Sequence, residues 1–122
     1  MGKTILIVDN DRAVRSMASF VLSVESCVVL EASGVAEALK RLEDGARPEL
    51  VLAGTNIEGV GLSEFISIIR AHQRCRFSPV VVLADERHLG GQMEWQEAGA
   101  SCWILKPFTA HQLLEMVGLL GL

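Results

Sequence analysis

The stretch that decides the fold is residues 50–56, which read Leu50-Val51-Leu52-Ala53-Gly54-Thr55-Asn56. Four apolar residues in succession, followed by small and polar ones, are typical of a short strand that is buried on both faces and then enters a loop. Four further apolar runs of this kind occur along the chain, at Ile5–Val8, Val28–Leu30, Val80–Leu83 and Trp103–Leu105. Together the five runs indicate a parallel sheet that is covered on both sides.

The segments between these runs have helical periodicity. Apolar residues recur at spacings of three and four in residues 14–22, 62–69 and 113–120. Thr109 and Gln112 have the spacing of a capping box at the start of the last of these helices. The pattern is weakest for the helix after the fourth strand, about Leu89 to Ala98, because Gly90 and Gly91 lie at its start. Glycine costs a helix interior about 1 kcal/mol per residue.

Five alternating strands and helices predict an α/β fold, with residues 1–122 as one domain. Right-handed crossovers favour a doubly wound, flavodoxin-like parallel sheet with strand order 2-1-3-4-5 and five helices. Such sheets bind ligands beyond the carboxyl ends of their strands, near the switch point between strands 1 and 3. The residues predicted at that edge are Asp9, Asn10, Asp11, Gly54, Thr55, Asn56, Ala84, Asp85, Lys106 and Pro107.

Composition and charge exclude several classes of function. Fifteen acidic against 11 basic residues give a net charge of −4, and no run of Lys or Arg forms the basic stripe that nucleic-acid binding needs. No apolar run approaches the ~20 residues of a membrane span, and the first residues do not read as a signal peptide. The cysteines, Cys27, Cys75 and Cys102, are too widely spaced for a zinc site or a disulfide framework. We therefore expect a cytoplasmic protein with reduced thiols and no contact with nucleic acid or membrane.

Two segments carry a family resemblance, Leu6–Arg15 and Ala98–Phe108, with support from Pro79–Leu83. They resemble the corresponding segments of a response-regulator receiver domain, the CheY-like signalling protein of two-component phosphorelay pathways. The resemblance extends over the whole chain and implies the same fold. In this family two acids after strand 1 help to bind a divalent metal, and an aspartate after strand 3 accepts a phosphoryl group. A Ser or Thr after strand 4 and a Lys after strand 5 contact the phosphoryl oxygens.

This sequence keeps only part of that set. Asp9 matches the first acid and Lys106 matches the lysine, but Asn10 replaces the second acid. Ala84 replaces the hydroxyl residue and Gly54 replaces the phosphoacceptor. Glycine offers no nucleophile, and the transferred phosphoryl group needs charge neutralisation by metal and lysine. The resemblance therefore implies a degenerate pseudo-receiver that is not an enzyme and that binds Mg²⁺ weakly or not at all.

Three alternatives for the remaining residues stay open. Asp9 and Lys106 form a structural ion pair, or Asp9, Asp11 and the Asn56 carbonyl form a weak cation site. Asp11 can also cap the first helix. Phosphorylation at an unusual acceptor would require Thr55 or Glu58, both near Gly54 in sequence. A small-molecule or redox sensor would use the pocket vacated at Gly54 and Ala84, or the thiol of Cys102.

The protein is predicted to recognise a partner through its fourth helix, fifth strand and fifth helix. Trp103 stands where the family commonly has a Tyr or Phe that switches with phosphorylation, and Ala84 lacks the hydroxyl that would draw it inward. We predict a fixed ring at Trp103, and an interface that also contains Trp95 and His111, since Trp is enriched at interface hot spots. The resemblance implies a histidine kinase or an effector as partner, and is compatible with a homodimer.

Overall fold

A computed structural model describes residues 3–121 as five parallel strands and five α-helices in alternation. The strands are β1 (Thr4–Val8), β2 (Val28–Ala32), β3 (Leu50–Gly54), β4 (Val80–Ala84) and β5 (Cys102–Leu105). The α-helices are α1 (Arg12–Val24), α2 (Val35–Glu43), α3 (Leu62–Ala71), α4 (Gln92–Ala98) and α5 (Ala110–Leu119). The strand order is β2-β1-β3-β4-β5, which confirms the predicted topology.

Two apolar layers cover the sheet. On one face, Ile5 and Ile7 of β1 pack with buried residues of α1 and α5. On the other face, Leu6 and Val8 pack with buried residues of α2, α3 and α4. The alternation follows from the pleat of a strand, which points successive side chains to opposite faces. Because helices cover both faces, the polar loops at the strand ends are left as the place for a small ligand.

The two edge strands differ from the three central ones. The apolar residues of β1, β3 and β4 are completely buried, as predicted from their continuous apolar runs. In β2 and β5 most residues are partly exposed, so burial on both faces is wrong for these strands. The reason is position, since β2 and β5 each have only one neighbouring strand and lie at the margin of the helical layers. On β5, Trp103 and Leu105 are exposed to 39% and 46%.

The segment after β4 corrects the predicted fourth helix. A 3₁₀ segment occupies Glu86–Gly91 and α4 begins only at Gln92, whereas the helix was predicted from about Leu89. A Cβ at Gly91 would lie 2.8 Å from Nε1 of Trp95, so glycine allows the indole ring to approach the backbone here. At α5 both hydrogen bonds of the predicted Thr109–Gln112 capping box are present. None of the helices within residues 3–121 has the length and apolar character needed to cross a bilayer.

Candidate functional site

The carboxyl ends of β1, β3, β4 and β5 bring the predicted site residues to one edge of the sheet. The amide of Asn10 donates to the Asn56 carbonyl over 2.9 Å, which joins the loops after β1 and β3. The amide of Lys106 donates to the Ala84 carbonyl over 2.8 Å, which continues the pairing of β4 with β5. The parallel strands therefore bring loops from separate parts of the chain to one edge of the sheet, as the sequence predicted.

Asp9 and Lys106 form a buried ion pair at the centre of this edge. Nζ of Lys106 lies 2.6 Å from Oδ2 of Asp9, and the side chain of Asp9 is completely buried. The other carboxylate oxygen, Oδ1, accepts from the amide of Asp11 over 2.9 Å. The Lys106–Pro107 peptide bond is cis. Both oxygens of Asp9 therefore have a partner within the protein, and its negative charge is offset by the ammonium group.

The carboxylate of Asp9 fills the space beside Gly54. A Cβ built on Gly54 would lie 2.5 Å from Cγ of Asp9 and closer still to Oδ2, far inside any van der Waals contact. Ala84, on the neighbouring strand, is completely buried. A pocket left vacant at Gly54 and Ala84 was predicted as one alternative; at Gly54 this is wrong, because the Asp9 carboxylate lies in the space that a larger side chain would take.

The predicted weak metal site fits a hard cation poorly. Asp9 is paired with Lys106, and Oδ1 of Asp11 caps α1 by accepting from the amides of Ala13 and Val14 over 2.9 and 3.4 Å. Mg²⁺ demands near-octahedral oxygen ligands, and an ammonium 2.6 Å from one of the two carboxylates repels it. Within the described residues there is no group of three or more His, Cys, Asp or Glu placed to hold a metal. Whether Mg²⁺ binds weakly stays a prediction.

Of the two alternative phosphoryl acceptors, Thr55 has a buried hydroxyl and Glu58 is hydrogen-bonded to another loop. Oγ1 of Thr55 is buried and has no hydrogen-bond partner among the described residues. The carboxylate of Glu58 accepts from the hydroxyl of Ser33 over 3.1 Å, and its backbone pairs with Gly34 before α2. A hydroxyl without access to solvent and a carboxylate held against another loop are poorly placed for in-line attack on a phosphodonor.

An acidic rim lies beside the ion pair; the sequence placed Asp11 and Asp85 at this edge but missed Glu86. A groove of about 460 Å³ runs between α1 and the β5–α5 loop, and its lining includes Asp11, Asp85, Glu86 and Lys106. The side chain and amide of Arg87 hydrogen-bond the carboxylate of Asp85 and lower its pKa to about 2. The adjacent acids at positions 85 and 86, directly after an apolar strand, were the available signal.

Only some of the residues predicted for a partner interface are exposed. Trp103 is 39% exposed on β5, and His111 is exposed on α5, where its Nε2 lies 4.0 Å from Oε2 of Glu115. Trp95 is only 4% exposed, so its assignment to the interface is wrong. Its ring packs edge-on against Trp103, with centroids 6.1 Å apart and planes at 70°. The indole of Trp95 therefore supports Trp103 from below and belongs to the core.

The cysteines offer little to a redox sensor. Cys27, Cys75 and Cys102 are all free thiols. Burial raises the pKa of the Cys102 thiol and also that of Cys75. Because the thiolate is the reactive form, a raised pKa lowers reactivity at neutral pH.

Comparison with known proteins agrees with this fold. The family model described as response regulator receiver domain matches residues 5–118. The phosphate regulon transcriptional regulatory protein PhoB of Klebsiella pneumoniae is 27% identical over 117 residues, covering 96% of this chain and 51% of PhoB. Among solved structures, the chemotaxis response regulator CheY4 of Vibrio cholerae is similar with a TM-score of 0.90 and 26% identity, covering 98% of this chain and 99% of CheY4. A putative response regulator from Chloroflexus aurantiacus has a TM-score of 0.88 and 25% identity, with 98% of each chain covered.

The match extends over nearly the whole chain, although the chain spans about half the length of PhoB. The strand order, the buried aspartate after β1 and the lysine before a cis proline after β5 all lie within the matched region. The chain therefore belongs to the response regulator receiver domain family of two-component signalling.

Proposed function

We propose that this receiver domain acts without phosphorylation, as a protein–protein interaction module of a two-component pathway. The observation that carries the proposal is the position of the Asp9 carboxylate, which fills the space beside Gly54 and is paired with Lys106. In a phosphorylatable receiver that space belongs to the acceptor side chain. Here the acid that would help to bind the metal and the lysine that would contact a phosphoryl oxygen bind each other instead.

Three replaced residues converge on the same step. Phosphoryl transfer needs an in-line nucleophile, and it needs positive charge around the transferred oxygens. Gly54 removes the nucleophile, Asn10 removes one acidic metal ligand, and Ala84 removes the hydroxyl. The Lys106 ammonium is already bound to a buried carboxylate. The domain therefore has no enzymatic role in our proposal, and no signal depends on an acyl phosphate.

The face formed by α4, β5 and α5 is the proposed recognition surface. Trp103 and Leu105 expose apolar surface on the same side of β5, and Trp103 is supported by the buried ring of Trp95. A rigid aromatic side chain loses little conformational entropy on binding, which suits an anchor. Because Ala84 has no hydroxyl to draw the ring inward, this surface is static rather than switched.

The partner is proposed to be a histidine kinase or an effector protein, as the family implies. A homodimer through the same surface is the second form of this proposal. Nucleic acid is not part of it, because the net charge of −4 disfavours binding to a phosphate backbone. A cytoplasmic location stays a prediction.

The proposed inability to be phosphorylated is tested by an amide-correlation NMR titration with Mg²⁺ and then with beryllofluoride. Beryllofluoride mimics a phosphoryl group and needs an aspartate oxygen to bind. We expect no saturable shifts at Gly54, Ala84 or Lys106. The triple variant Asn10→Asp/Gly54→Asp/Ala84→Thr restores the residue types of the family's reaction and is the positive control. Saturable shifts caused by beryllofluoride at these three positions in the natural chain, or a labile adduct after treatment with phosphoramidate, would refute phosphorylation-independent action.

The test of the surface compares Trp103→Ala with His111→Ala in a binding assay against the histidine kinases and effectors of the host. We expect Trp103→Ala to weaken the partner's affinity by about tenfold or more, since Trp is a frequent hot spot. His111 is exposed at the margin of the surface, so its loss should change affinity less. If both variants bind every partner as the natural chain does, the recognition surface lies elsewhere.

A further inference from the structure

The connection between α3 and β4, residues 72–79, presents an aromatic side chain to solvent. Phe77 is 90% exposed, more than any other large hydrophobic side chain in the described part of the chain. The connection precedes β4, so it lies at the amino-terminal edge of the sheet. Five-residue strands separate it by about 16 Å from the edge that contains Asp9 and Lys106.

The backbone on both sides of Phe77 is held from below by Arg70. The guanidinium donates to the carbonyls of Cys75 and Arg76 over 3.2 Å each, and also to the carbonyl of Ser78. It also donates to the Gly99 carbonyl over 3.0 and 2.8 Å, which fixes the guanidinium itself. Because the turn is anchored, its phenyl ring is already held in a solvent-exposed position. Binding therefore costs little further conformational entropy.

A second set of contacts joins this turn to the loop before β3. The hydroxyl of Ser78 donates to the Pro48 carbonyl over 2.6 Å, and Nη1 of Arg74 donates to the Gly45 carbonyl over 3.3 Å. Between the two loops lies a shallow cleft of about 290 Å³, with Phe77 in its lining. The two loops therefore form one continuous surface.

The charge of this surface is opposite to that of the whole chain. Arg47, Arg74 and Arg76 lie on the two loops, whereas the chain carries a net charge of −4. Arg47 and Arg76 are exposed and form no ion pair within residues 3–121. Glu49 lies in the same cleft, but its carboxylate accepts from the Thr4 amide over 3.2 Å. We call the four residues Arg47, Arg74, Arg76 and Phe77 the basic loop surface.

We propose that the basic loop surface docks an acidic segment of a second protein, in which an apolar side chain covers Phe77 and neighbouring Asp or Glu residues pair with the arginines. A single exposed hydrophobic residue on a protein surface needs no explanation. An anchored aromatic ring that shares one cleft with Arg74 and Arg76, neither of which forms an ion pair within residues 3–121, needs one, because Arg and aromatic residues are enriched at interface hot spots. This surface is separate from Trp103 and does not depend on the function proposed above.

Two other classes of partner fit less well. A nucleic acid needs a stripe of several phosphate contacts, and three arginines with Glu49 among them are too few. A membrane surface needs either two anchoring groups or a long apolar face, and one phenyl ring gives only weak, reversible adsorption. An acidic protein segment uses both features of the surface at once.

The test is an amide-correlation NMR titration of the full chain with a short synthetic peptide in which Asp and Glu alternate with Leu and Phe. We expect saturable shifts confined to residues 45–49 and 72–79, weakened by raised salt. Phe77→Ser and Arg76→Glu should each raise the dissociation constant about tenfold. Both side chains are exposed, so the variants should retain the natural spectrum elsewhere. Trp103→Ala is the matched control and should bind the peptide as the natural chain does.

The proposal is overturned if the peptide causes no shifts at about 1 mM, where even weak interfaces become populated. It is also overturned if the Asn and Gln version of the peptide binds equally well, or if Phe77→Ser leaves the affinity unchanged. Tighter binding to a single-stranded oligonucleotide or to phosphatidylserine vesicles would reassign the surface to those partners. None of these outcomes bears on the α4–β5–α5 face, because Trp103 lies outside the two loops.

Discussion

A Cβ added at Gly54 would lie 2.5 Å from Cγ of Asp9, although the two residues are separated by most of two βα units. The carboxylate of Asp9 and a side chain at position 54 therefore compete for one volume. In this chain the carboxylate occupies it and is held there by Lys106 and by the amide of Asp11. A glycine at position 54 and the buried position of the Asp9 carboxylate therefore go together.

Gly54→Ala should lower the free energy of unfolding by about 1–3 kcal/mol, because the added methyl group would overlap the buried carboxylate of Asp9. The control is Gly118→Ala in α5, where a Cβ would meet no atom within 4 Å. That change should raise stability by up to about 1 kcal/mol, since Ala is the better helix former. Urea unfolding measures both. If the two substitutions changed stability equally, the Asp9 carboxylate would be able to shift aside at little cost in free energy.

Lys106→Met should destabilise the fold by about 3–5 kcal/mol, because it leaves the buried carboxylate of Asp9 without its counter-charge. The double variant Asp9→Asn/Lys106→Met removes both charges and should recover a large part of that loss. Chemical denaturation of the natural chain, both single variants and the double variant completes the cycle. Additive effects would show that the pair contributes no coupling energy.

The two tryptophans should respond differently to truncation. Trp95→Ala should cost about 3–5 kcal/mol of stability, since the ring is 4% exposed and fills the core beneath β5. Trp103→Ala should cost less, about 1 kcal/mol, because much of its ring already faces solvent and part of the loss is the edge-on contact with Trp95. Thermal unfolding compares them. A larger loss for Trp103 than for Trp95 would contradict the assignment of Trp95 to the core.

Arg87→Gln should raise the pKa of Asp85 from about 2 towards its ordinary value, because the side-chain hydrogen bond from Arg87 is the largest cause of the shift. A carboxyl group with a lowered folded-state pKa stabilises the fold above its unfolded pKa of ~3.9, and this contribution is lost as the pH falls towards 2. The variant should therefore lose less stability over this acid range than the natural chain. Carbon NMR of the carboxyl groups reads the titration directly.

The control for this titration is Glu37. The hydroxyl and amide of Ser33 lower the pKa of Glu37, and Arg87 is not among the causes. Its titration should be the same in the natural chain and in Arg87→Gln. A parallel change at Glu37 would mean that the substitution altered the fold rather than one hydrogen bond.

The fold was readable from the sequence because each element has a local pattern. The apolar run at residues 50–53 predicted a buried strand, and Thr109 with Gln112 predicted the start of α5; both are confirmed. The start of α4 was misplaced, since Gly90 and Gly91 belong to a 3₁₀ segment that no helical period describes. The burial of Trp95 was missed because it depends on the neighbouring β5 and on a glycine at position 91.

The sequence by itself determined the strand order, the edge of the sheet at which the site lies, and the absence of a nucleophile at Gly54. These follow from periodicity, from the handedness of crossovers and from side-chain chemistry, which are local or general. Only the tertiary structure decided that Asp9 fills the space beside Gly54 and that Arg70 anchors the backbone on both sides of the exposed Phe77. Both depend on contacts between separate segments of the chain, and the volume left between packed segments is not encoded in any one of them.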